Sequence, residues 1–209
     1  MCCKRNAWSL LIVSVVVLTG EARGQTVEAP AFQPPRIIAH RGGVVGGGLI
    51  ENNLPAIAES IRRGYYMLEV DIRESADGHL VVHHDADFVR FYDDERRVAE
   101  LTWDQIKEIR TETGERPIDF AEFVAACRGR VHLMLDVKGP EHPEAFFQEM
   151  EAILRRHGLL DSAMVIGTSQ AKRYFLGKAR VGVNFLDLLK HAEAGEAVAE
   201  RYFLFEHGE

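Results

Sequence analysis

Residues 66–85 read YMLEVDIRESADGHLVVHHD, and this stretch decides the fold. Its first part, 66–72, is apolar except for Glu69 and Asp71, which is typical of a strand buried in a sheet. Because side chains at positions i and i+2 of a strand leave the same face, the two carboxylates point the same way. Inward carboxylates are costly unless they meet a cation, so the pattern predicts a strand that ends in a functional site.

The connection at Asp77-Gly78 predicts a hairpin. Aspartate–glycine is a turn signal, and a parallel return would need about a dozen residues, more than this connection holds. Folding the chain back at this turn places His84 roughly opposite Asp71, and His83 opposite the residue that follows Asp71. We therefore expect His84 to reach the carboxylate pair, and His83 to serve packing or the surface.

Strands and helices alternate through the rest of the chain. Strand-like runs begin at 36, 66, 131, 164, 180 and 202, and helical periods cover 53–64, 103–110, 118–127 and 143–157. Repeated strand–helix units imply a parallel sheet whose carboxyl ends carry the site. We predict an α/β fold of the (β/α)8 TIM-barrel type, truncated after about six strands, with the hairpin as an arm after strand 2.

The first 24 residues are typical of a secretory signal peptide. Lys4 and Arg5 form a positive start, residues 7–18 are almost wholly apolar, and residues 22–24 offer a cleavage site. The apolar run is shorter than the roughly 20 residues of a spanning helix, which disfavours an uncleaved anchor. We expect an exported protein, periplasmic or secreted, without a membrane span after cleavage.

The mature chain is expected to be an extended lead-in at 25–35 and one domain at 36–209. Cys127 is then its only cysteine, so an internal disulfide is excluded. The sequence has 25 basic and 32 acidic residues, and the leader holds three basic and one acidic, which leaves 22 and 31. A net charge near −9 argues against nucleic acid as a partner.

Several short segments between about residue 37 and residue 138 combine apolar residues with charged or imidazole side chains. In chain order they are His40-Arg41-Gly42, Glu51-Asn52-Asn53-Leu54-Pro55-Ala56, Glu69-Val70-Asp71, Val81-Val82-His83-His84-Asp85, Phe88 with Arg90, Leu101-Thr102 and Asp136-Val137-Lys138. No single motif among them is decisive, but in this order and spacing they resemble the glycerophosphodiester phosphodiesterase family. The resemblance implies a barrel of the phosphatidylinositol-phospholipase-like superfamily.

The resemblance also implies an activity: metal-dependent hydrolysis of a small-molecule glycerophosphodiester to glycerol 3-phosphate and an alcohol. It matches His40 and His84 to an acid/base pair, and Arg41 and Lys138 to cations that bind the phosphate. Histidine suits proton exchange because it titrates near neutral pH. Direct hydrolysis and a route through a cyclic phosphate are both compatible with these residues.

Three carboxylates match the metal ligands of the family, namely Glu69, Asp71 and Asp136. Glu51 matches an acid near the metal, and Asn52 matches a residue that orders its loop. Carboxylate oxygens are hard ligands, so the expected cofactor is a divalent cation, Mg²⁺ or Ca²⁺.

Two departures from the family leave alternatives open. Asp136 stands where most members carry glutamate. Aspartate followed two residues later by lysine is similar to the pattern of the sphingomyelinase D enzymes, which leaves a sphingomyelinase D-like or lysophospholipase D-like activity as an alternative. Those enzymes usually carry a disulfide near the site, which the cysteine content excludes here. Because a barrel truncated after about six strands is incomplete, two further alternatives stay open. The protein is a non-catalytic remnant that binds a phosphodiester, or another chain covers the gap in the barrel. The head group of the substrate and the oligomeric state stay open.

Overall fold

The structure is a computed structural model, and it describes residues 36–43 and 48–205. The signal peptide expected at 1–24 and the lead-in expected at 25–35 lie outside the described residues. The described strands are β1 (Ile38–Ala39), β2 (Met67–Glu74), β3 (Leu80–Val82), β4 (Asp87–Phe88), β5 (Asp94–Arg97), β6 (Ile118–Asp119), β7 (His132–Val137), β8 (Met164–Gly167), β9 (Arg180–Val183) and β10 (Tyr202–Leu204). The described α-helices are α1 (Leu54–Arg62), α2 (Val89–Tyr92), α3 (Trp103–Ile106), α4 (Phe120–Cys127), α5 (Glu144–Arg156), α6 (Ser169–Phe175), α7 (Phe185–Glu193) and α8 (Val198–Arg201).

The main sheet confirms the predicted α/β architecture. Strands β1, β2, β7, β8, β9 and β10 run parallel in that spatial order. Strand β3 pairs antiparallel with the carboxyl end of β2, and β6 pairs antiparallel with β3. In the described residues the sheet is open between β1 and β10, as expected of six strands of a TIM-type barrel.

Alternation along β2 and β7 separates the core from the site. On β2, Leu68 and Val70 belong to the main core between sheet and helices, whereas Met67 lies in a separate cluster on the inner face. Glu69 and Asp71 share the parity of Met67 and therefore face inward with it. The register pairs Asp71 with Asp136 of β7, so the inward carboxylates of neighbouring strands lie side by side.

Two helical predictions were too long. The helix expected at 103–110 is the single turn of α3, which has a capping box between Thr102 and Gln105. The helix expected at 118–127 begins only at Phe120, because residues 118–119 pair with β3 as β6 and Asp119 then caps α4. The longest helix among the described residues is α5, with 13 residues, and none of the described helices is long and apolar enough to cross a bilayer.

The hairpin after β2 is confirmed, but its predicted register was wrong by one residue. The turn holds three residues, not two, because Ser75 N–H donates to the carbonyl of His79 at 3.0 Å. Gly78 supplies the left-handed position of this turn, with φ 81°. The shift places His83 opposite Asp71, to whose carbonyl His83 N–H donates at 3.0 Å.

Candidate active site

One cavity at the carboxyl end of the strands contains most of the predicted site. Its volume is about 650 Å³. The polar part of its wall is formed by His40, Arg41, Glu69, His84, Asp136 and Lys138. The apolar part is formed by Ile38, Met134, Met164, Ile166, Phe203, Leu204 and Phe205. The structure therefore brings both predicted imidazoles, both predicted phosphate-binding cations and two of the three predicted ligands to one wall.

Three carboxylates form a buried acidic group at the base of this site. Each of Glu69, Asp71 and Asp136 offers one oxygen, and these oxygens all lie within 4.8 Å of one another. Asp136 joins the group despite being one methylene shorter than glutamate. Three hard oxygen donors, buried and this close, fit a divalent cation such as Mg²⁺ or Ca²⁺.

The acidic group is electrostatically costly without a cation. Burial, together with the neighbouring charge of Asp71, raises the pKa of Glu69 to about 7. Arg41 works in the opposite direction, since its backbone N–H donates to Glu69 Oε2 at 2.8 Å. The raised pKa means that the carboxylate is only partly ionised near neutral pH, which a bound cation would correct.

Lys138 lies across two members of the acidic group. Its Nζ is 2.6 Å from Asp136 Oδ2 and 3.1 Å from Asp71 Oδ1. Burial lowers the pKa of Lys138, but the two carboxylates outweigh that effect and hold it above its ordinary value. The ammonium is therefore charged and lies where a phosphate oxygen next to the acidic group would meet it.

The loop before α1 is hydrogen-bonded to the acidic group through Asn52. Asn52 is buried, adopts a left-handed backbone with φ 53°, and donates from Nδ2 to Asp71 Oδ2 at 2.9 Å. Its N–H donates to the carbonyl of Arg41 at 2.7 Å. Asn52 therefore ties its loop both to a candidate ligand and to the histidine–arginine turn.

His40 and Arg41 follow β1 in a short 3₁₀ turn. Arg41 has φ 53°, a strained position for a residue with a Cβ, and strain of this kind persists where the surroundings enforce it. His40 is largely exposed on its side chain, and its Nε2 lies 3.8 Å from Glu69 Oε2. The turn thus directs an imidazole and a guanidinium into the same cavity.

Five charged or ionisable side chains close a ring beside the acidic group, and we call it the charged ring. Arg41 donates to both oxygens of Glu51 at 3.1 and 3.2 Å and lies 2.8 Å from His84 Nε2. His84 Nδ1 lies 2.6 Å from Asp85, Asp85 accepts from Arg90 Nε at 2.7 Å, and Arg90 pairs with Glu51. Glu51 thus supports Arg41 and Arg90, and the described contacts do not place it in the acidic group.

The charged ring sets the tautomer of His84. A guanidinium only donates, so Nε2 of His84 accepts from Arg41, and Nδ1 donates to Asp85. Burial raises the pKa of Asp85, but hydrogen bonds from His84 and Arg90 outweigh it and hold that pKa below its ordinary value. An ionised Asp85 therefore keeps the ring proton of His84 on Nδ1 and leaves Nε2 unprotonated, with its lone pair accepting from Arg41 in this structure. An unprotonated Nε2 is what a general base requires.

Sequence reasoning missed two residues of the charged ring. Asp85 and Arg90 were part of the family pattern but received no role. The neighbouring position of Asp85 after His84 was an available signal, because a carboxylate often orients an imidazole. Arg90 reaches Glu51 across 39 residues, and no local pattern could show that contact. His83 behaves as expected, since it is buried against Phe88 with ring centroids 4.7 Å apart.

The fold and site together define an α/β barrel-type protein that gathers acids, imidazoles and cations for an anionic ligand. The model of the glycerophosphoryl diester phosphodiesterase family matches residues 40–187, which is more than half of the chain. The chain belongs to this family.

Individual relatives agree with the family match. The chain is 34% identical to human glycerophosphodiester phosphodiesterase 1 over an alignment of 115 residues that covers 50% of this chain and 34% of that protein. It is 35% identical to a mouse lysophospholipase D over 82 residues, or 39% of this chain and 24% of that protein. The chain thus spans about a third of the human relative. A phosphodiesterase of Oleispira antarctica, solved with the product sn-glycerol-3-phosphate, shares the fold with a TM-score of 0.63 and 19% identity over 84% of this chain and 85% of that one.

Proposed function

We propose that this chain hydrolyses glycerophosphodiesters to glycerol 3-phosphate and an alcohol. The observation that carries the proposal is the single cavity that joins two imidazoles, two cations and a buried acidic group. An anionic diester needs charge neutralisation at its non-bridging oxygens and proton transfer at its bridging ones. The cavity offers both functions within one site.

Phosphate binding and proton transfer are assigned to different residues of the cavity. Arg41 and Lys138 bind the non-bridging phosphate oxygens, and Arg41 thereby leaves His84 Nε2 free to accept a proton. His84 takes the proton of the attacking hydroxyl as its oxygen bonds to phosphorus. His40 gives a proton to the leaving alcohol oxygen as the phosphorus–oxygen bond breaks. The attacking hydroxyl belongs to water or to the neighbouring glycerol group, and the second case yields a cyclic phosphate first.

Glu69, Asp71 and Asp136 would hold a divalent cation, Mg²⁺ or Ca²⁺. When bound, the cation supplies Lewis-acid neutralisation of the phosphate charge. Its positive charge also offsets the burial and the neighbouring charge of Asp71, which together raise the pKa of Glu69 to about 7.

The test is release of glycerol 3-phosphate from glycerophosphocholine by the purified protein, with EDTA and with Mg²⁺ or Ca²⁺ restored. We expect activity that EDTA abolishes, and a loss of about 10²–10⁴-fold in kcat for His40→Ala and for His84→Ala. His191→Ala is the matched control, because His191 pairs with Glu196 on the helical side and does not line the cavity. Folded protein without turnover under either cation would support the binding remnant instead.

A second substrate class is favoured by the apolar wall of the cavity. Side chains of Met134, Met164, Ile166 and Phe203 continue from the acidic group along the inner face of the open sheet. Such a wall would accommodate an acyl chain, which glycerophosphocholine lacks and a lysophospholipid carries. Parallel assays with lysophosphatidylcholine and sphingomyelin test this. Preference for lysophosphatidylcholine would support lysophospholipase D activity, and cleavage of sphingomyelin alone would support the sphingomyelinase D alternative.

We also propose export, on the strength of the leader-like sequence at 1–24. Expression of the full chain in a Gram-negative host, followed by fractionation and amino-terminal sequencing, tests it. We expect mature protein that begins at Gln25 in the periplasm or medium. Recovery of uncleaved protein from the cytosolic fraction would contradict export.

A further inference from the structure

His142 lies behind the cavity wall, in the segment between β7 and α5. The residue is 8% exposed, and its ring stacks on Phe146 with centroids 4.1 Å apart. Its backbone is held from α6, because Gln170 accepts from His142 N–H at 2.9 Å and donates to His142 carbonyl at 2.6 Å. Main chain and ring are therefore both fixed.

Both ring nitrogens of His142 face hydrogen-bond acceptors. Nδ1 lies 2.7 Å from Glu74 Oε2 at the end of β2, and Nε2 lies 2.7 Å from the carbonyl of Lys138 at the end of β7. The ring therefore joins the carboxyl ends of two neighbouring strands, one through each nitrogen.

The surroundings of His142 hold charges of both signs. A cavity of about 420 Å³ borders His142. Its charged lining consists of Arg73, Glu74, Arg97, Lys138 and Glu141. Of these, Glu74 makes the ion pair with the His142 ring, while Arg73 donates to the carbonyl of His84 at 2.6 Å.

The bond from Nε2 closes a tight turn directly after Lys138. Gly139 has φ 107° in this turn, and a Cβ there would lie 3.1 Å from His142 Nε2. The strand side of Lys138 is fixed as well, because its N–H donates to the carbonyl of Ile72 at 2.9 Å. With both backbone groups of Lys138 held, its side chain has one direction to leave, which is toward Asp71 and Asp136.

We propose that His142 is a positioning residue that holds Lys138 over the acidic group, so that its ammonium can bind the substrate phosphate. The proposal rests on the proposed function, because it takes the role of Lys138 from there. His142 does not line the active-site cavity, so it acts through the backbone of Lys138.

Two conservative variants separate the two bonds of the ring. His142→Gln places an amide donor near the position of Nε2 and can keep the bond to Lys138, whereas His142→Asn places one near Nδ1 and can keep the bond to Glu74. For His142→Asn and His142→Ala we expect KM, and the inhibition constant of inorganic phosphate, to rise about tenfold, as for loss of a hydrogen bond to a charged group. His142→Gln should recover most of that loss.

His191→Asn is the matched control. His191 also pairs with a glutamate, Glu196 at 2.8 Å, and stacks on Tyr202 at 4.2 Å, but it has no contact with the Lys138 turn. It should share any general effect on Tm and leave phosphate affinity unchanged. In a Lys138→Met background, His142→Ala should add little to the loss of phosphate affinity, because the two residues act as one unit.

Equal phosphate affinity in wild type, His142→Asn and His142→Gln would overturn the proposal, as would additive losses in the double variant. Phosphate binding is measured by calorimetry in addition to turnover. If wild-type protein binds phosphate but hydrolyses no diester, the proposed hydrolysis fails while the effect of His142 on phosphate affinity is still decided.

Discussion

At the scale of single residues, Glu69 makes the stability of the protein depend on pH. Its pKa is raised to about 7 by burial and by Asp71, so the folded state holds the proton more tightly than the unfolded chain. Raising the pH from about 4.5 to about 7 should therefore lower the free energy of unfolding of metal-free protein, by about 3 kcal/mol from this group. Denaturant unfolding in EDTA at several pH values measures the effect.

Glu69→Gln should remove this part of the pH dependence, since the amide keeps an oxygen for the N–H of Arg41 and carries no charge. Glu149→Gln, on the exposed face of α5, serves as the control. Because a divalent cation binds the ionised carboxylate, its stabilising effect on the wild type should be larger at about pH 8 than at about pH 6. An effect of the cation that is the same at both pH values would argue against Glu69 as a ligand.

Asp85 is the second residue with a separable role. Asp85→Asn keeps the shape of the side chain but removes the charge that holds the tautomer of His84. We expect kcat with glycerophosphocholine to fall at least about tenfold. Asp93→Asn is the control, because Asp93 is exposed and its left-handed backbone, φ 52°, suits asparagine. Unchanged kcat in Asp85→Asn would remove the orienting role.

At the scale of elements, the end of β8 is shaped around Asp136 of the neighbouring strand. Gly167 has φ 88°, and a Cβ there would lie 2.5 Å from Asp136 Oδ1 and 2.5 Å from the carbonyl of Val137. Gly167→Ala should displace the carboxylate, lower stability by more than about 1 kcal/mol, and weaken stabilisation by Mg²⁺ or Ca²⁺. Thermal unfolding with and without the cation measures both effects.

Gly177→Ala isolates the backbone contribution to that result. Gly177 also has positive φ, 82°, but a Cβ there would meet nothing within 4 Å. It should show the cost of the left-handed backbone without any change in the response to the cation. If the two variants responded to the cation alike, the close approach of Gly167 to Asp136 would have no functional meaning.

At the scale of the whole molecule, the row of parallel strands in the described sheet ends in two edge strands, β1 and β10. Ile38 is 40% exposed on one edge and Leu204 is 52% exposed on the other. Unpaired, apolar edges favour association between chains, and a lysine at an edge opposes it. We expect self-association that rises with protein concentration in light scattering and falls in Leu204→Lys. Leu186→Lys on α7, where the leucine is 66% exposed, should have the smaller effect.

The fold followed from local patterns, because the six strand starts and the inward parity of Glu69 and Asp71 depend on neighbours in sequence. The hairpin register did not, since two- and three-residue turns share the Asp77-Gly78 signal and differ in a bond from Ser75. Contacts such as Arg90 with Glu51 join residues far apart in sequence and depend on tertiary packing. The same holds for His142, whose spacing from its partners has no local signature.

The closed path through Arg41, Glu51, Arg90, Asp85 and His84 has a consequence for how this region tolerates change. Removing one member leaves both of its neighbours without one of their partners, so a single replacement weakens two interactions of the charged ring at once. Compensation then requires a second replacement at an adjacent member of the charged ring. Among related proteins, residues of the charged ring should therefore change in pairs, and single substitutions in it should be rare.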